Sequence, residues 1–137
     1  MAEKILFEIV TPERLTFSDE VDEVAIPGVQ GEFGVLPGHV PFFSNLQVGE
    51  VVAKKDGTLI HFAVSGGFAE VHEDHVIVLA ETAERAEEID LDRVLASKSR
   101  AEEMLKKAKD SSELEFKRAE LRLRRALTRE EVSKKRS

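Results

Sequence analysis

Val76-Ile77-Val78-Leu79-Ala80-Glu81-Thr82-Ala83-Glu84-Arg85-Ala86-Glu87-Glu88-Ile89-Asp90-Leu91-Asp92-Arg93-Val94-Leu95 is the stretch that decides the fold, because the chain changes character within it. Upstream of residue 82, short branched and aromatic runs are cut by glycine and proline, the pattern of strands and turns. All eight glycines and all four prolines lie on that side. Residues 82–137 contain neither and are rich in the strong helix formers Ala, Leu, Glu, Lys and Arg. A β part followed by a helical part too small to own a core predicts two units, 1–84 and 85–137, that can dock or separate.

Within the first unit, Ile5, Phe7 and Ile9 alternate with Leu6, Glu8 and Val10 until Pro12 stops the ladder. Leu15-Thr16-Phe17, Val24-Ala25-Ile26 and Gly34-Val35-Leu36 read as further strands. The clearest hairpin runs from Val48 to Val64 around Asp56-Gly57, a dipeptide that tolerates the positive φ of a tight primed turn. Phe68 to Val71 and Val76 to Leu79 flank a second tight turn at His72-Glu73-Asp74-His75. Some eight to ten short strands at this spacing predict a β-sandwich or flattened barrel.

In the second unit Leu91, Val94, Leu95, Ala101, Met104, Leu105 and Ala108 recur at three- and four-residue steps, one face of a helix. Asp90 is placed to cap it. Asp110-Ser111-Ser112 forms a turn, and Ser112 with Glu115 has the spacing of a capping box for a second helix. That helix is expected to bury Phe116, Ala119, Leu123, Ala126 and Leu127. So short a connection makes the helices antiparallel neighbours. Their alanine-bearing seam predicts marginal cohesion and a shape that depends on partners.

Composition narrows the function. With 42% hydrophobic and 34% charged residues the chain reads as a soluble globular protein. No apolar run approaches the ~20 residues that span a bilayer, and Met1-Ala2-Glu3-Lys4 opens into a strand pattern rather than a signal peptide. The chain is therefore expected to stay in the compartment where it is made, without inserting into lipid. The absence of cysteine excludes disulfides, thiolate zinc sites and cysteine nucleophiles. The net charge of −7 hides an asymmetry: residues 1–86 carry −10 and residues 87–137 carry +3, with +6 in 116–137 alone. An acidic first half argues against nucleic acid as its partner. The basic final helix suits RNA, nucleotide phosphate or an acidic protein surface, or else presents a solvated face.

Motifs for catalysis are missing. Gly28, Gly31, Gly34 and Gly38 lack the Gly-Lys-Ser/Thr and following helix of a phosphate loop, and read as turns. His72 and His75 lack a third convergent metal ligand. Ser65-Gly66-Gly67 lacks the Gly-x-Ser-x-Gly spacing of a nucleophile elbow. No catalytic and no metal residue is assigned, and an enzyme is not expected. The arginines are more informative. Arg93 and Arg100 share a face of the first helix, and Arg118, Arg122, Arg125 and Arg129 form a stripe on the second. Their guanidinium forks suit paired phosphates or carboxylates, or alternatively ion pairs with Glu102, Glu103 and Glu120.

Five segments carry a resemblance: Ile9-Val10-Thr11-Pro12-Glu13-Arg14; Gly31-Glu32-Phe33-Gly34-Val35-Leu36-Pro37-Gly38-His39-Val40-Pro41; Ser65-Gly66-Gly67-Phe68-Ala69-Glu70-Val71; Ala83-Glu84-Arg85-Ala86-Glu87-Glu88-Ile89-Asp90; and Phe116-Lys117-Arg118-Ala119-Glu120-Leu121. In this order they resemble, over essentially the whole chain, the ε-subunit family of bacterial F-type rotary ATP synthases. The resemblance implies a ten-stranded β-sandwich followed by an antiparallel α-helical hairpin. It implies a non-catalytic rotor subunit that joins the γ shaft to the ring of membrane c subunits, peripheral on the cytoplasmic face of the bacterial plasma membrane. Glu32 and His39 would meet the ring, and an apolar sandwich face would pack on γ. The hairpin would have two states: folded on the sandwich it permits turnover, and extended along γ it reaches the α/β catalytic head and blocks hydrolysis. Arg122, Arg124 and Arg125 would then meet acidic segments of the head.

Some members of that family bind ATP on the folded hairpin through Ile/Leu-Asp-x-x-Arg-Ala. Here the motif reads Ile89-Asp90-Leu91-Asp92-Arg93-Val94, with valine in place of alanine. Carried over, the candidates are Glu84, Ile89, Asp90, Arg93, Arg100, Arg125 and Arg129, with Val94 as the departure that would crowd the base. No cofactor is required, and ATP enters as a regulatory ligand. A stand-alone ATP sensor is the alternative function. An RNA module is disfavoured, since the basic helix has no interleaved aromatic residues for stacking.

Overall fold

The computed structural model describes residues 3–135; Met1 and Ala2 of the opening segment and Arg136 and Ser137 of the basic tail lie outside it. The described residues form ten strands: β1 (Ile5–Val10), β2 (Leu15–Val21), β3 (Glu23–Gly28), β4 (Gly31–Val35), β5 (Phe42–Asn45), β6 (Gly49–Lys55), β7 (Thr58–Ser65), β8 (Phe68–His72), β9 (His75–Leu79) and β10 (Thr82–Arg85). They form two five-stranded sheets, β2-β1-β9-β8-β5 and β10-β7-β6-β3-β4. Pairing is antiparallel except for β1 with β9. The expected sandwich and helical hairpin are both present.

Strand alternation fills the space between the sheets. Ile5, Phe7 and Ile9 on β1 are fully buried, as are Val24, Ile26, Val51, Phe62, Val76 and Val78. Phe7, Phe17 and Phe62 meet with ring centroids 5.1–6.3 Å apart and join the two layers. The β6–β7 turn is built as expected, with positive φ at Asp56 (49°) and Gly57 (83°). Glu73 does the same in the β8–β9 turn (φ 55°).

An ionic cluster pins the β6–β7 turn to the sandwich. Asp22 accepts from Lys4 Nζ at 2.6 Å and from the Asp56 backbone N–H at 2.7 Å, while Lys4 also bonds Asp56 at 2.8 Å. Lys55 pairs with Asp19 beside it. The hydrogen bond from Lys4 holds the Asp22 carboxyl below its ordinary range and the bond from Lys55 does so for Asp19, while Asp22 and Asp56 together raise Lys4. Depressed carboxyls stabilise the fold above the ordinary aspartate value, about 4, and that contribution disappears as pH falls through the lower folded value. The raised Lys4 contributes fully below its ordinary value of about 10.4, so the cluster is constant across neutral pH. Asp22→Asn should therefore flatten the loss of stability below about pH 4, read from denaturation midpoints against pH.

After β10 a 3-10 turn at Ala86–Glu88 leads into α1 (Leu91–Ala108) and α2 (Glu113–Ser133). Asp90 caps α1 by accepting from the Arg93 N–H, and Ser112 caps α2 by accepting from the Glu115 N–H at 3.2 Å. The seam is Ala101 and Ala108 against Ala119 and Ala126, all buried. Small residues let the helix axes approach closely, and this displaces the larger side chains to the flanks. Leu127, expected inside, is 43% exposed, and Leu91, Leu95 and Met104 are exposed as well. Phe116 and Leu123 are half-buried. Val132 and Ser133, absent from the sequence expectation, are buried where α2 meets the sandwich.

Candidate functional site

The hairpin lies against the outer face of the β10-β7-β6 sheet. Its apolar contact is small: Ala63 from β7, then Ala86, Ile89, Val94 and Val132. Polar pairs do much of the rest. Arg129 grips Glu84 on β10, with Nε 2.6 Å from one carboxylate oxygen and Nη2 donating to the other at 3.0 Å. Arg125 Nε donates to the buried Ser65 hydroxyl at 2.9 Å, with Nη2 3.8 Å from Glu81. Arg124 donates to Gln47 Oε1 at 3.2 Å, and Lys135 to Glu50 on β6 at 2.9 Å. Arg14, from the β1–β2 turn, holds Glu88 in the linker at 2.9 Å. The basic end of α2 thus lies on the acidic sandwich, which gives the charge asymmetry of the sequence a structural purpose.

Between the two units is a cleft of about 510 Å³ whose walls include Thr11, Arg14, Ser65, Glu84, Arg93, Arg125 and Arg129. A second recess of about 300 Å³ lies between the helices, lined by Ser97, Arg100, Met104, Arg122, Arg125 and Arg129. Arg125 and Arg129 belong to both. Among the described residues Arg93, Arg100 and Arg122 have no carboxylate partner; Arg100 reaches Ser97 Oγ at 3.2 Å and Arg122 the Met104 sulfur at 3.7 Å. The alternative pairing with Glu102, Glu103 and Glu120 is not made among these residues. Six guanidinium groups therefore surround two joined recesses, and only some of their charge is cancelled. An anion with several oxygens suits such a lining.

The sequence candidates divide on inspection. Glu84, Arg93, Arg125 and Arg129 line the larger cleft, and Arg100 joins them through the smaller recess. Ile89 and Val94 line neither; both are buried in the apolar contact between the units. Asp90 spends one carboxylate oxygen on the α1 cap. Arg14, outside the set of nucleotide candidates, lines the larger cleft and is brought there only by long-range folding, while Arg122, also outside that set, lines the smaller recess. Glu32 is exposed on β4, and His39 is half-buried in the following loop with Nδ1 2.8 Å from Val40 O. Around that end of the sandwich Val29, Leu36, Val40, Phe42 and Phe43 are exposed. In the β8–β9 turn His75 pairs with Glu8 at 2.6 Å, and no group of three or more ligating side chains occurs among the described residues.

Comparison with known proteins gives one family for both units. The β-sandwich domain of the ATP synthase delta/epsilon chain matches residues 4–86, and the long α-helix domain of the same chain matches residues 87–134. A protein of Geotalea uraniireducens named ATP synthase epsilon chain is 50% identical over 135 residues, covering 98% of this chain and 97% of its own. One of Nitratidesulfovibrio vulgaris with the same name is 49% identical over 132 residues, 96% and 97% of the two chains. Among solved structures, a chain of the Euglena gracilis mitochondrial ATP synthase superposes with a TM-score of 0.75 at 23% identity, covering 88% of this chain and 76% of its own. A chain of the Tetrahymena thermophila mitochondrial ATP synthase central stalk and c-ring gives 0.63 at 12% identity, covering 96% and 97%.

Proposed function

The chain belongs to the ATP synthase delta/epsilon family, as a non-catalytic epsilon-type subunit of the central stalk, and from that premise we propose a coupling subunit with a detachable brake. The sandwich bridges the γ shaft and the c-ring, and the hairpin, once undocked, restrains ATP hydrolysis at the α/β head. Membership of that complex supports a position at a membrane surface, which we infer to be the cytoplasmic side in a bacterium; no described helix is long and apolar enough to cross the bilayer.

The observation that carries this reading is the polar character of the dock. Three branched side chains, Ile89, Val94 and Val132, supply most of its apolar burial, at about 1.5–3 kcal/mol each before the cost of ordering the chain. The remainder is charge pairing in contact with water, which is weak and screened by salt. Such a contact suits exchange between two partners rather than permanent packing. With one sheet covered by the hairpin, the outer face of the other is left for γ. There Val10, Ile77, Leu79 and Phe68 are half-buried and Phe43 is 59% exposed, stacked on Phe68 with centroids 5.1 Å apart. The exposed apolar end around Glu32 and His39 fits the ring.

ATP is the proposed regulator of the docked state. Arg93, Arg100, Arg122 and Arg125 offer the charge for a triphosphate, and the cleft spans both units, so a nucleotide there would hold them together. Such a ligand stabilises the docked state by RT ln(1 + [L]/Kd), about 2.7 kcal/mol at a hundredfold excess over Kd. Arg129 is held by Glu84, which makes Glu84 a competitor with the phosphates for that guanidinium. Val94 supports the dock rather than crowding a base, so Val94→Ala should loosen docking without improving affinity. Calorimetry of the full chain with millimolar ATP, beside Arg93→Ala and Val94→Ala, tests this: heat lost with Arg93→Ala is expected. Capture of γ tests the larger reading, because a stand-alone ATP sensor would bind nucleotide and leave γ in solution.

A further inference from the structure

We propose that the Lys135–Glu50–His61 contact is a proton-sensitive latch, through which mild acidification releases the C-terminal end of the hairpin from the sandwich. The inference rests on the two-state reading of the hairpin given above. Glu50 sits at the meeting point: Oε1 accepts from Lys135 Nζ at 2.9 Å, and Oε2 lies 3.1 Å from His61 Nδ1. Its side chain is 24% exposed and that of His61 15%, so the pair is largely sheltered by the docked helix end. Lys135, 39% exposed, is the most accessible of the three.

The charges around the histidine leave Glu50 as the shared carboxylate. On β6, Val52 stands opposite His61, with Glu50 and Lys54 two residues to either side on the same face. On β10, Glu84 stands opposite Ala63, two residues along β7 from His61, and is held by Arg129. From α2, Lys134 pairs with Glu130, which Lys98 also holds, so Lys135 has Glu50 as its partner. Neither Glu84 nor Glu130 is available to replace it.

Histidine changes charge between pH 5 and 8, where glutamate stays ionised and lysine stays protonated. Neutral His61, with its hydrogen on Nδ1, donates to Glu50 and leaves the full carboxylate charge to Lys135. Protonated His61 brings a second cation onto the same carboxylate and repels Lys135 from it. Undocking removes Lys135 and leaves the charged histidine with Glu50 alone, a satisfied pair. By linkage, protons favour the state from which Lys135 has departed. The exposure of Lys135 limits the effect to about threefold in the docked-to-undocked ratio. The chemistry points one way: a fall in internal pH would free the helix that restrains hydrolysis.

The chain has no cysteine, so Thr58→Cys on the sandwich and Ser111→Cys at the hairpin tip give a unique pair for spin labels. Pulsed dipolar distances in the full-length protein would be recorded between about pH 8 and about pH 6, the histidine range. The docked population of the parent should fall about threefold relative to the undocked one as pH drops. His61→Gln, which keeps a hydrogen-bonding side chain but no titration, should abolish that dependence. Lys135→Gln, on an exposed helix end, should abolish it too and dock more weakly throughout. A parent insensitive to pH, or either variant retaining the parent's dependence, would overturn the latch. High salt screens the exposed pairs and supplies the control. Undocking by salt but not by acid removes the latch alone, whereas one docked distance under every condition removes the two-state reading with it.

Discussion

Gly67→Ala is expected to destabilise the chain by about 3 kcal/mol or more, a fall of roughly 10 °C in the unfolding midpoint. Gly67 has φ 94°, a conformation L side chains rarely adopt, in the turn from β7 to β8. A Cβ added there would lie 1.8 Å from the Leu79 carbonyl oxygen and 2.9 Å from Ala80 Cα. Both are backbone atoms of the neighbouring segment, so relief requires the β8–β9 pair to separate near Phe68 and Leu79. The carbonyl of Gly67 also accepts from the Leu46 N–H at 2.9 Å, tying a third segment to the same point. Gly34→Ala is the matched control. It has no atom within 4 Å of the added Cβ and no positive φ, and should change stability by less than about 0.5 kcal/mol. Thermal unfolding of the two variants beside the parent measures the difference. Equal losses would show that neither the backbone conformation nor the Leu79 contact matters.

Removing the hairpin should have the largest functional effect and little effect on the sandwich. The core between the sheets draws on every strand except β5, with Phe7, Phe62, Ile5, Ile9 and Ile26 fully enclosed, and among the described residues it takes nothing from α1 or α2. A chain ending at Ala86 uncovers Ala63 and Ala86 and leaves Glu84 and Glu50 without Arg129 and Lys135. Those carboxylates are at the surface and can be solvated. The shortened protein should therefore unfold cooperatively and remain monomeric, as read by sedimentation and by coincident transitions from two probes. Aggregation would mean that the helices protect more of the β10-β7-β6 face than the small contact between the units suggests.

Much of this architecture is legible in the chain, and the exceptions have physical causes. The Asp56-Gly57 hairpin follows from residues whose backbone preference is strong and local. β10 is hidden because Thr82-Ala83-Glu84-Arg85 has helical composition; it is a strand because Ala83 enters the core while pairing with Val64. β5 is four residues long and directly follows Pro41, too short for alternation to register. Along the helices periodicity found the right face but overvalued the leucines, since the seam closes on alanine. The arginine stripe was visible, whereas its partners were not. Arg129 finds Glu84 across 45 residues and Arg125 finds Ser65 across 60, and no local pattern reports such pairings. Asp90 is the converse case, since its cap was readable from spacing alone.

The most direct test of a coupling subunit with a detachable brake is ATP turnover by a rotary complex rebuilt with the chain ending at Ala86, set beside one carrying the full chain. Hydrolysis and ion-driven synthesis are measured in the same preparation. The sandwich keeps its proposed contacts with γ and the ring, and the arginine-bearing helix is gone. Hydrolysis should run at least as fast as with the full chain, and synthesis should persist. Loss of synthesis would instead mean that the helices transmit torque, and slower hydrolysis without them would mean that they assist turnover; either result contradicts the brake.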